Sequence, residues 1–330
     1  MANDQIVNRA AESVLRTVDD VQRLAGVIRD NVQRVIVGKT DAIDLILAAL
    51  LSRGHVLVED VPGTGKTTMA KALAASLDCD FQRLQFTPDL VPADVLGVNV
   101  YDPQKSAFDF RPGPIFTQVF LADEINRATP RTQSALLEAM QEKQVSIDGV
   151  TTALPAPFVV LATLNPIEME GTFPLPEAQL DRFMLRVSLG YPTPEEESAM
   201  LDRFHGSPDP AALTPVAGPE AIAAAQGVVD TVHVDQVVRD YILAIAEATR
   251  AHPQLRLGAS PRASLALQHT AQAKAAMDGR DYVMPDDIKA LAGPVLSHRL
   301  VGDMSAQLRG VNRSRIVADI VANTPVPIER

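Results

Sequence analysis

The stretch that decides the fold is Leu57-Val-Glu-Asp-Val-Pro-Gly-Thr-Gly-Lys-Thr-Thr68. An apolar run enters a loop with two glycines, and Gly-Lys-Thr follows at the start of an expected helix. Backbone amides and a helix N-terminus arranged in this way bind phosphate groups. We expect Lys66 to add a cation at the β and γ phosphates and Thr67 to supply a hydroxyl to Mg²⁺. The stretch therefore predicts a phosphate-binding loop between a strand and a helix.

Asp60 departs from the pattern G-x-x-x-x-G-K-[ST], which has glycine at that position. This glycine usually supports an unusual backbone angle. Asp and Asn are the other residues that best tolerate the left-handed region. We therefore interpret Asp60 as a tolerable substitute for glycine in such a conformation. The alternative, a glycine turn that arose by chance, is disfavoured by the residues that follow downstream.

Two further apolar runs end in polar residues that suit a phosphate site. The run 119–124 delivers Asp123 and Glu124 at the carboxyl end of an expected strand, where ligands bind in open α/β sheets. We expect Asp123 to hold Mg²⁺, directly or through water, and Glu124 to polarise the attacking water. Adjacent carboxylates are by themselves often solvated turn residues, but behind a phosphate loop they indicate hydrolysis. Asn165, after the run 161–164, is expected to orient the water or contact the γ-phosphate.

Composition limits the classes of function. The 330 residues are 46 % hydrophobic and 22 % charged, which predicts a globular chain with a substantial core. The net charge of -11 and the aromatic content of 4 % argue against duplex DNA binding and against base stacking. The guanine-recognition pattern N-K-x-D is absent, so ATP is preferred over GTP. Nucleic acid is therefore an unlikely partner on composition.

The single cysteine, Cys79, excludes an intramolecular disulfide and favours a reducing compartment. The six histidines never fall at metal-ligand spacing. The polar N-terminal segment lacks a signal-peptide core, and no apolar run approaches membrane-spanning length. We expect a soluble cytoplasmic protein without membrane insertion.

Strand and helix patterns alternate along the first part of the chain, which predicts a parallel five-stranded sheet with helices on both faces. The expected strands are 55–59, 82–86, 117–122, 157–163 and 184–188. The expected helices are 4–35, 41–51, 66–77 and 130–142, the last with Thr129 as its cap. The heptad spacing in 4–35 allows a coiled coil, but packing against the body of the domain is favoured. Hairpins are expected at 98–110 and at 144–154, the second turning at Asp148-Gly149.

The pattern becomes helical and rich in alanine after residue 191. The expected helices are 234–251, 261–277 and 285–291, and the prolines and glycines between 206 and 219 predict a loop. We therefore expect an ATP-binding α/β domain, 1–191, followed by a smaller all-α domain, 192–330.

Six segments together resemble the AAA+ ATPases and, more closely, the MoxR family. They are the stretch 57–68, Ala122-Asp-Glu-Ile-Asn-Arg-Ala128, Gln133-Ser-Ala-Leu-Leu-Glu-Ala-Met140, Ala162-Thr-Leu-Asn-Pro166, Glu177-Ala-Gln-Leu-Asp-Arg-Phe183 and Gly258-Ala-Ser-Pro-Arg-Ala263. The resemblance runs from about residue 30 to the C-terminus. It implies an AAA+ P-loop core with a helical lid, ATP and Mg²⁺ as cofactors, and a homo-oligomer, usually a hexameric ring, with nucleotide between subunits.

The resemblance assigns roles at the phosphates to two arginines. Arg182 matches the arginine finger, which would reach the γ-phosphate of the next subunit and is worth roughly 10³–10⁵ in rate in such enzymes. The alternative is a surface arginine paired with Asp181. Arg262 matches the sensor of the lid, in the first turn of a helix that Ser260 caps. A cation there opposes the helix dipole unless an anion is near, so we expect phosphate contact; the alternative is a solvated arginine.

The resemblance also extends the nucleotide site. The residues it assigns to nucleotide binding are Asp60, Val61, Pro62, Gly63, Thr64, Gly65, Lys66, Thr67, Thr68, Val37 and Gly38. The last two are expected to line the adenine pocket. Arg127 either touches the neighbouring subunit or holds a loop. The two hairpins resemble the helix-2 insert and pre-sensor hairpin of this AAA+ branch, facing the pore or the top of a ring, or they are plain structural hairpins.

The main functional hypothesis is an ATP-driven, chaperone-like remodeller that matures or activates partner proteins. The resemblance alone implies this client class, often a protein with a von Willebrand factor A domain. The alternatives are a nucleic-acid motor or loader of the helicase-like AAA+ branch and a magnesium-chelatase-like ATPase subunit. A nucleotide-gated scaffold without activity is disfavoured, because Glu124 and Arg182 are both present.

Overall fold

The central layer of the fold is a parallel five-stranded sheet. A computed structural model describes residues 15–165, 171–203, 209–303 and 312–327. In spatial order the strands are β2 (Phe81–Gln85), β5 (Val119–Asp123), β8 (Val159–Leu164), β1 (Val56–Glu59) and β9 (Leu185–Val187). The middle strands are buried on both faces, which explains their continuous apolar runs. Because the strands are parallel, their carboxyl ends meet at one edge, and this edge holds the phosphate loop.

Helices cover both faces of the sheet, as expected. They are α1 (Val18–Val32), α2 (Thr40–Leu51), α3 (Lys66–Ser76), α4 (Pro92–Leu96), α5 (Pro130–Glu142) and α6 (Glu177–Leu180), with a 3₁₀ turn at Ile125–Arg127. One apolar cluster contains α1, α2 and α3, and a second contains α5 and the opposite face of β5. Thr129 precedes α5, but its side chain makes no capping hydrogen bond, contrary to the expectation.

The N-terminal helix differs from the expected span 4–35. Residues 1–14 lie outside the described ranges, and the described helix begins only at Val18. Thr17 stops it there through a capping box, in which its hydroxyl accepts from Asp20 N–H and the Asp20 carboxylate accepts from Thr17 N–H at 3.0 Å. The apolar side of the helix is buried against the body of the protein, so the heptad spacing there reflects core packing.

Both predicted hairpins form. The first is β3 (Gly97–Asp102) with β4 (Ala107–Pro112), and the second is β6 (Gln144–Ile147) with β7 (Val150–Ala153). Asp148 and Gly149 have φ of 49° and 81°, the conformation that a two-residue hairpin turn requires. Asn99 of the first hairpin donates to the Asp148 carboxylate of the second at 2.7 Å, so the two hairpins touch.

The mostly helical segment that follows β9 is called the lid. Its helices are α7 (Pro194–Arg203), α8 (Pro219–Val229), α9 (Gln236–Ala251), α10 (Pro261–Met277), α11 (Pro285–Leu296) and α12 (Arg313–Asn323), with a 3₁₀ turn at Pro210–Ala212 and a small sheet of β10 (Leu255–Leu257) and β11 (Val301–Gly302). Pro219, expected in a loop, begins α8 because proline suits the first position of a helix.

The lid packs directly on the α/β part. Ile222 and Ala225 of α8 belong to the same apolar cluster as α1 and α2. Because the core is continuous across residue 191, packing alone does not separate 1–191 from 192–330, and that division stays a prediction. No helix in the described ranges is long and apolar enough to cross a membrane.

Candidate functional site

The phosphate loop connects β1 to α3 and has the backbone that the sequence predicts. Gly63 and Gly65 have φ of 83° and 88°, which is the left-handed region where glycine is favoured. A Cβ added to either glycine would meet no neighbouring atom, so the backbone angle, and not crowding, requires glycine there. Gly65 lies immediately before α3, so the helix N-terminus points at the loop. The assigned residues 60–68 all lie in this loop or in the first turn of α3.

Asp60 does not substitute for glycine in the way the sequence analysis expects. It does not adopt the left-handed conformation, so that interpretation is wrong. Instead it is 5 % exposed, and its Oδ2 accepts from the backbone N–H of Leu189 at 2.6 Å and of Gly190 at 2.8 Å. Oδ1 accepts from Val61 N–H at 3.0 Å. The carboxylate therefore ties the start of the phosphate loop to the residues that lead from β9 into the lid.

Lys66 lies at the mouth of the loop. Its ammonium donates to the carbonyl oxygens of Asp60 at 3.0 Å and Val61 at 3.3 Å. Thr64 donates from its hydroxyl to the same Val61 carbonyl at 3.2 Å, which closes the loop on itself. Thr67, in the first turn of α3, is half-buried. These contacts keep the lysine within the loop that is expected to hold phosphate.

Asp123 and Glu124 lie at the carboxyl edge of the sheet, and Thr163 of β8 binds both. The Thr163 hydroxyl donates to Asp123 Oδ1 at 2.6 Å and accepts from the Glu124 N–H at 2.8 Å. Glu124 has φ of 56°, a conformation that side chains other than Gly, Asn and Asp seldom adopt. The bond from its N–H to buried Thr163 helps to hold this strained backbone, which is a common feature of functional sites.

Two residues of β2 contact the acidic pair. Arg83 donates to Asp123 Oδ2 from Nε at 3.0 Å and from Nη2 at 2.7 Å. Gln85 donates from Nε2 to Glu124 Oε2 at 2.7 Å, and Arg127 donates from Nη1 to the same oxygen at 3.2 Å. Of the two roles expected for Arg127, this contact supports the holding of a loop, while contact with a neighbouring subunit stays a prediction.

The roles of Asn165 and of the Val37–Gly38 segment stay predictions. Asn165 follows β8 at the same carboxyl edge and is 5 % exposed. Gly38 has φ of 68°, and a Cβ there would lie 1.8 Å from Oε1 of Glu196 on α7. The lid helix α7 therefore packs closely on the segment expected to contact adenine.

Arg182 and Arg262 come together near the amino ends of the strands, on the opposite side of the sheet from the phosphate loop. Both line a cavity of about 210 Å³ together with His55, which precedes β1. The four residues of β1 run from this cavity to the phosphate loop, which puts about 13 Å of strand between them. Arg182 donates from Nε to Gln141 Oε1 at 3.0 Å. The two arginines therefore face away from the phosphate loop of their own chain.

The alternative that Arg182 pairs with Asp181 is wrong. The Asp181 carboxylate accepts from Ser260 Oγ at 3.0 Å and from Arg299 Nε at 2.9 Å, and both donors belong to the lid. Ser260 also accepts from the Ala263 N–H at 3.1 Å and so caps α10, as the sequence predicts. Asp181 thus connects the segment of Arg182 to the cap of the helix that carries Arg262.

His55 and His298 are buried and uncharged in this arrangement. His55 accepts the Val160 N–H at Nδ1 and so donates from Nε2 to the Met140 carbonyl, both at 3.0 Å. Burial lowers the pKa of His55 to about 4. Burial and then the charge of Arg299 lower the pKa of His298 well below its usual value. Burial also lowers the pKa of Arg299 to about 10, although Asp181 opposes this shift.

Comparison with known proteins identifies the family. A model of the ATPase family associated with various cellular activities (AAA) matches residues 55–185, and a model of the AAA lid domain matches residues 247–320. The chain is 41 % identical over 305 residues to Chaperone MoxR1 of Mycobacterium tuberculosis, which covers 90 % of this chain and 80 % of that protein. The chain belongs to the MoxR family of AAA+ ATPases.

Two further comparisons agree with this MoxR-family assignment. The protein YeaC of Bacillus subtilis is 49 % identical over 312 residues, covering 94 % of this chain and 98 % of that protein. The crystal structure of a putative ATPase from Cytophaga hutchinsonii superposes with a TM-score of 0.87 at 36 % identity, covering 94 % of this chain and 97 % of that one. The resemblance and the AAA+ fold with a helical lid are therefore confirmed.

The MoxR-family site suits a nucleotide and its magnesium ion. The open, glycine-containing loop at a helix N-terminus fits phosphate, and Mg²⁺ usually takes one or two carboxylates with waters and phosphates. Asp123 and Thr67 offer one carboxylate and one hydroxyl. Arg83 already occupies Asp123 Oδ2, so contact through water suits this carboxylate. The described residues contain no cluster of three or more His, Cys, Asp or Glu that would hold a metal without phosphate.

Sequence reasoning missed three residues of this MoxR-family site. Thr163 carried a usable signal, since it is a polar residue in an otherwise apolar, fully buried strand. Arg83 and Gln85 carried none, because alternating polar residues on β2 are equally typical of a half-exposed edge strand. Only the pairing of β2 with β5 brings them to the acidic pair.

Proposed function

We propose that this protein hydrolyses ATP in the cytoplasm and uses the cycle to remodel, mature or activate partner proteins. The observation that carries the proposal is the position of Lys66, Asp123 and Glu124 at one edge of a parallel sheet, with Thr163 bound to both acidic residues. A phosphate-binding cation, a magnesium-binding carboxylate and a candidate general base are the parts that NTP hydrolysis requires.

Each residue of the carboxyl edge has a distinct task. The loop amides and Lys66 bind the β and γ phosphates, and Thr67 and Asp123 hold the metal ion. Bound MgATP supplies the phosphoryl group, with its charge partly neutralised. Glu124 accepts a proton from the attacking water, and Asn165 orients that water. Gln85 and Arg127 position the Glu124 carboxylate, each through a hydrogen bond to Oε2.

Arg182 and Arg262 act on the nucleotide of a neighbouring subunit. They share a cavity about 13 Å of strand away from their own phosphate loop, which supports action across an interface. A homo-oligomeric ring, with six subunits as in the AAA+ proteins it resembles, brings this cavity to the phosphate loop of the next copy. The guanidinium groups then stabilise the charge on the transferred phosphoryl group.

The proposed client is a protein, with a von Willebrand factor A domain as the preferred class. The name of the relative Chaperone MoxR1 supports a chaperone-like role. The acidic net charge of -11 disfavours nucleic acid. A pull-down with Glu124→Gln in ATP, with and without nuclease, identifies the client class. A nuclease-resistant protein partner supports remodelling, whereas nucleic acid lost on nuclease treatment favours a motor.

The test of the enzyme proposal is Lys66→Ala. ATP turnover of the purified chain is measured with Lys71→Ala as the matched control, because Lys71 is an exposed lysine on the same helix. Turnover should fall at least a hundredfold in Lys66→Ala and stay at the wild-type level in Lys71→Ala. Equal turnover in the wild type and in Lys66→Ala would overturn the proposal.

A further inference from the structure

The cavity that Arg182 and Arg262 line has further basic side chains at its wall. Lys143 lines the same cavity, as do Arg53 and Arg299. Lys143 belongs to neither the phosphate loop nor the acidic pair. Its position raises the question of which charge it faces.

The backbone of Lys143 is fixed at both ends. It has φ of 53° and closes α5, where its N–H donates to Ala139 O at 2.9 Å. Its carbonyl accepts from the Leu154 N–H, also at 2.9 Å, across the root of the β6–β7 hairpin. Gln141, two residues earlier, binds Arg182 Nε at 3.0 Å. Lys143 is therefore held beside the finger.

The charges of this cavity are unbalanced. Arg53 pairs with Asp230 at 2.9 Å, and Arg299 pairs with Asp181 at 2.9 Å. Lys143 and Arg262 make no ion pair with any described residue, and the nearest partner of Arg182 is the uncharged Gln141. In a chain of net charge -11, three basic side chains around about 210 Å³ form a local positive site. Such a site favours an anion with several negative charges.

The pKa of Lys143 also favours an anion in this cavity. Partial burial and then the charge of Arg53 lower the pKa of Lys143. Both effects disfavour the charged ammonium in the isolated chain, and a bound anion opposes them. A negatively charged group in the cavity would therefore stabilise the charge of Lys143.

We propose that Lys143 is a third phosphate-binding residue of the site that Arg182 and Arg262 present to a second copy of this chain. It binds the terminal phosphates of the nucleotide on that copy's phosphate loop. This inference rests on the proposed function.

Mixed oligomers test the inference. Lys143→Ala should lower ATP turnover at least tenfold, and Lys143→Arg should keep most of it, because the charge is retained. Lys289→Ala serves as the control, since Lys289 is a lid lysine that pairs with Asp286 away from the cavity. Its turnover should equal that of the wild type.

The decisive arm mixes Lys143→Ala with Lys66→Ala, which has no working phosphate loop but an intact cavity. Random mixing in a cyclic ring pairs an intact loop with an intact cavity at about a quarter of the interfaces. Turnover of the mixture should therefore rise several-fold above the mean of the two separate variants. Absence of a rise, or wild-type turnover in Lys143→Ala alone, would overturn the inference.

A mixture of Arg182→Ala with Lys66→Ala separates two claims: that Arg182 acts on a neighbouring subunit, and that Lys143 belongs to the same site. If this pair complements and the Lys143 pair does not, the neighbour site exists but Lys143 is not part of it. If neither pair complements, the proposed action of Arg182 across subunits fails as well. If both complement, Lys143 and Arg182 act on the same neighbouring nucleotide.

Discussion

Arg299 of the lid forms a buried ion pair with Asp181, the residue next to Arg182, with Nε and Oδ1 2.9 Å apart. The same guanidinium donates to the carbonyl oxygens of Phe183 at 2.6 Å and Met184 at 3.0 Å. Since Asp181 also accepts from Ser260 at the cap of α10, one arginine joins the segments that carry Arg182 and Arg262. The contacts of Arg299 therefore support the segment that carries Arg182.

Replacing Arg299 should affect the position of Arg182 as well as the stability of the fold. Arg299→Lys keeps the charge but loses the planar fork that reaches several acceptors, so the free energy of unfolding should fall by about 3 kcal/mol. Turnover per folded molecule should fall as well, because Arg182 loses its support. Urea unfolding and an ATPase assay at a temperature where the variant is folded measure the two effects.

Arg280→Lys is the matched control for this prediction. Arg280 also forms a buried ion pair within the lid, donating twice to Asp287 at 2.8 Å, but it lies away from the finger. It should lower stability and leave turnover per folded molecule unchanged. An equal loss of turnover in both variants would show that Arg299 acts only through stability.

Restoring the pattern glycine at position 60 should harm the protein. Asp60→Gly removes the acceptor for the Leu189 and Gly190 amides, and hydrogen bonds to a charged group are worth about 2 kcal/mol each. The midpoint of urea unfolding should fall, and ATP binding should weaken as the loop loosens. Asp60→Asn keeps one acceptor oxygen, so its unfolding midpoint should lie between those of the wild type and Asp60→Gly. A more stable Asp60→Gly variant would contradict this role.

Thr163→Val should separate hydrolysis from binding. Valine has nearly the same shape but leaves the Glu124 N–H and Asp123 Oδ1 without their shared hydroxyl. A small displacement of the catalytic group can cost up to about a hundredfold in rate. We expect kcat to fall by that order while the Kd for a fluorescent ATP analogue stays near the wild-type value. Thr163→Ser retains the hydroxyl and should keep most of the activity.

Acid should destabilise the fold through its buried histidines. The folded-state pKa of His55, about 4, lies below the unfolded value near 6.5, and that of His298 is lowered too. The unfolded chain therefore binds more protons below pH 6.5. The stability from neutral His55 is complete above that pH and is lost as pH falls towards 4, by roughly 3 kcal/mol in total.

Unfolding free energies measured from pH 7.5 to pH 5 check this slope. His55→Gln should reduce the slope by about one proton, whereas His269→Gln should not, because His269 is exposed. A slope unchanged by His55→Gln would assign the acid sensitivity to other groups.

Local patterns predicted the strands and the loop because their signals are short-range. The five strand patterns, the glycines 63 and 65 and the turn at 148–149 each depend on neighbours within a few residues. The same reasoning failed at Asp60, whose partners are about 130 residues away, and at Pro219, where a helix start and a loop have the same composition. The start of the described N-terminal helix at Val18 was missed because a capping box overrode a longer apolar periodicity.

By itself the sequence determined the phosphate loop, the order of strands and helices, and the residue types at the carboxyl edge, because these follow from side-chain periodicity and backbone preference. Only the tertiary structure decided what those residues contact. Sheet pairing brings Arg83 and Gln85 to Asp123 and Glu124, and lid packing brings Arg299 to Asp181. Such contacts join residues far apart in the chain, and no local preference encodes them, since they arise only when the separate apolar surfaces pack into one core.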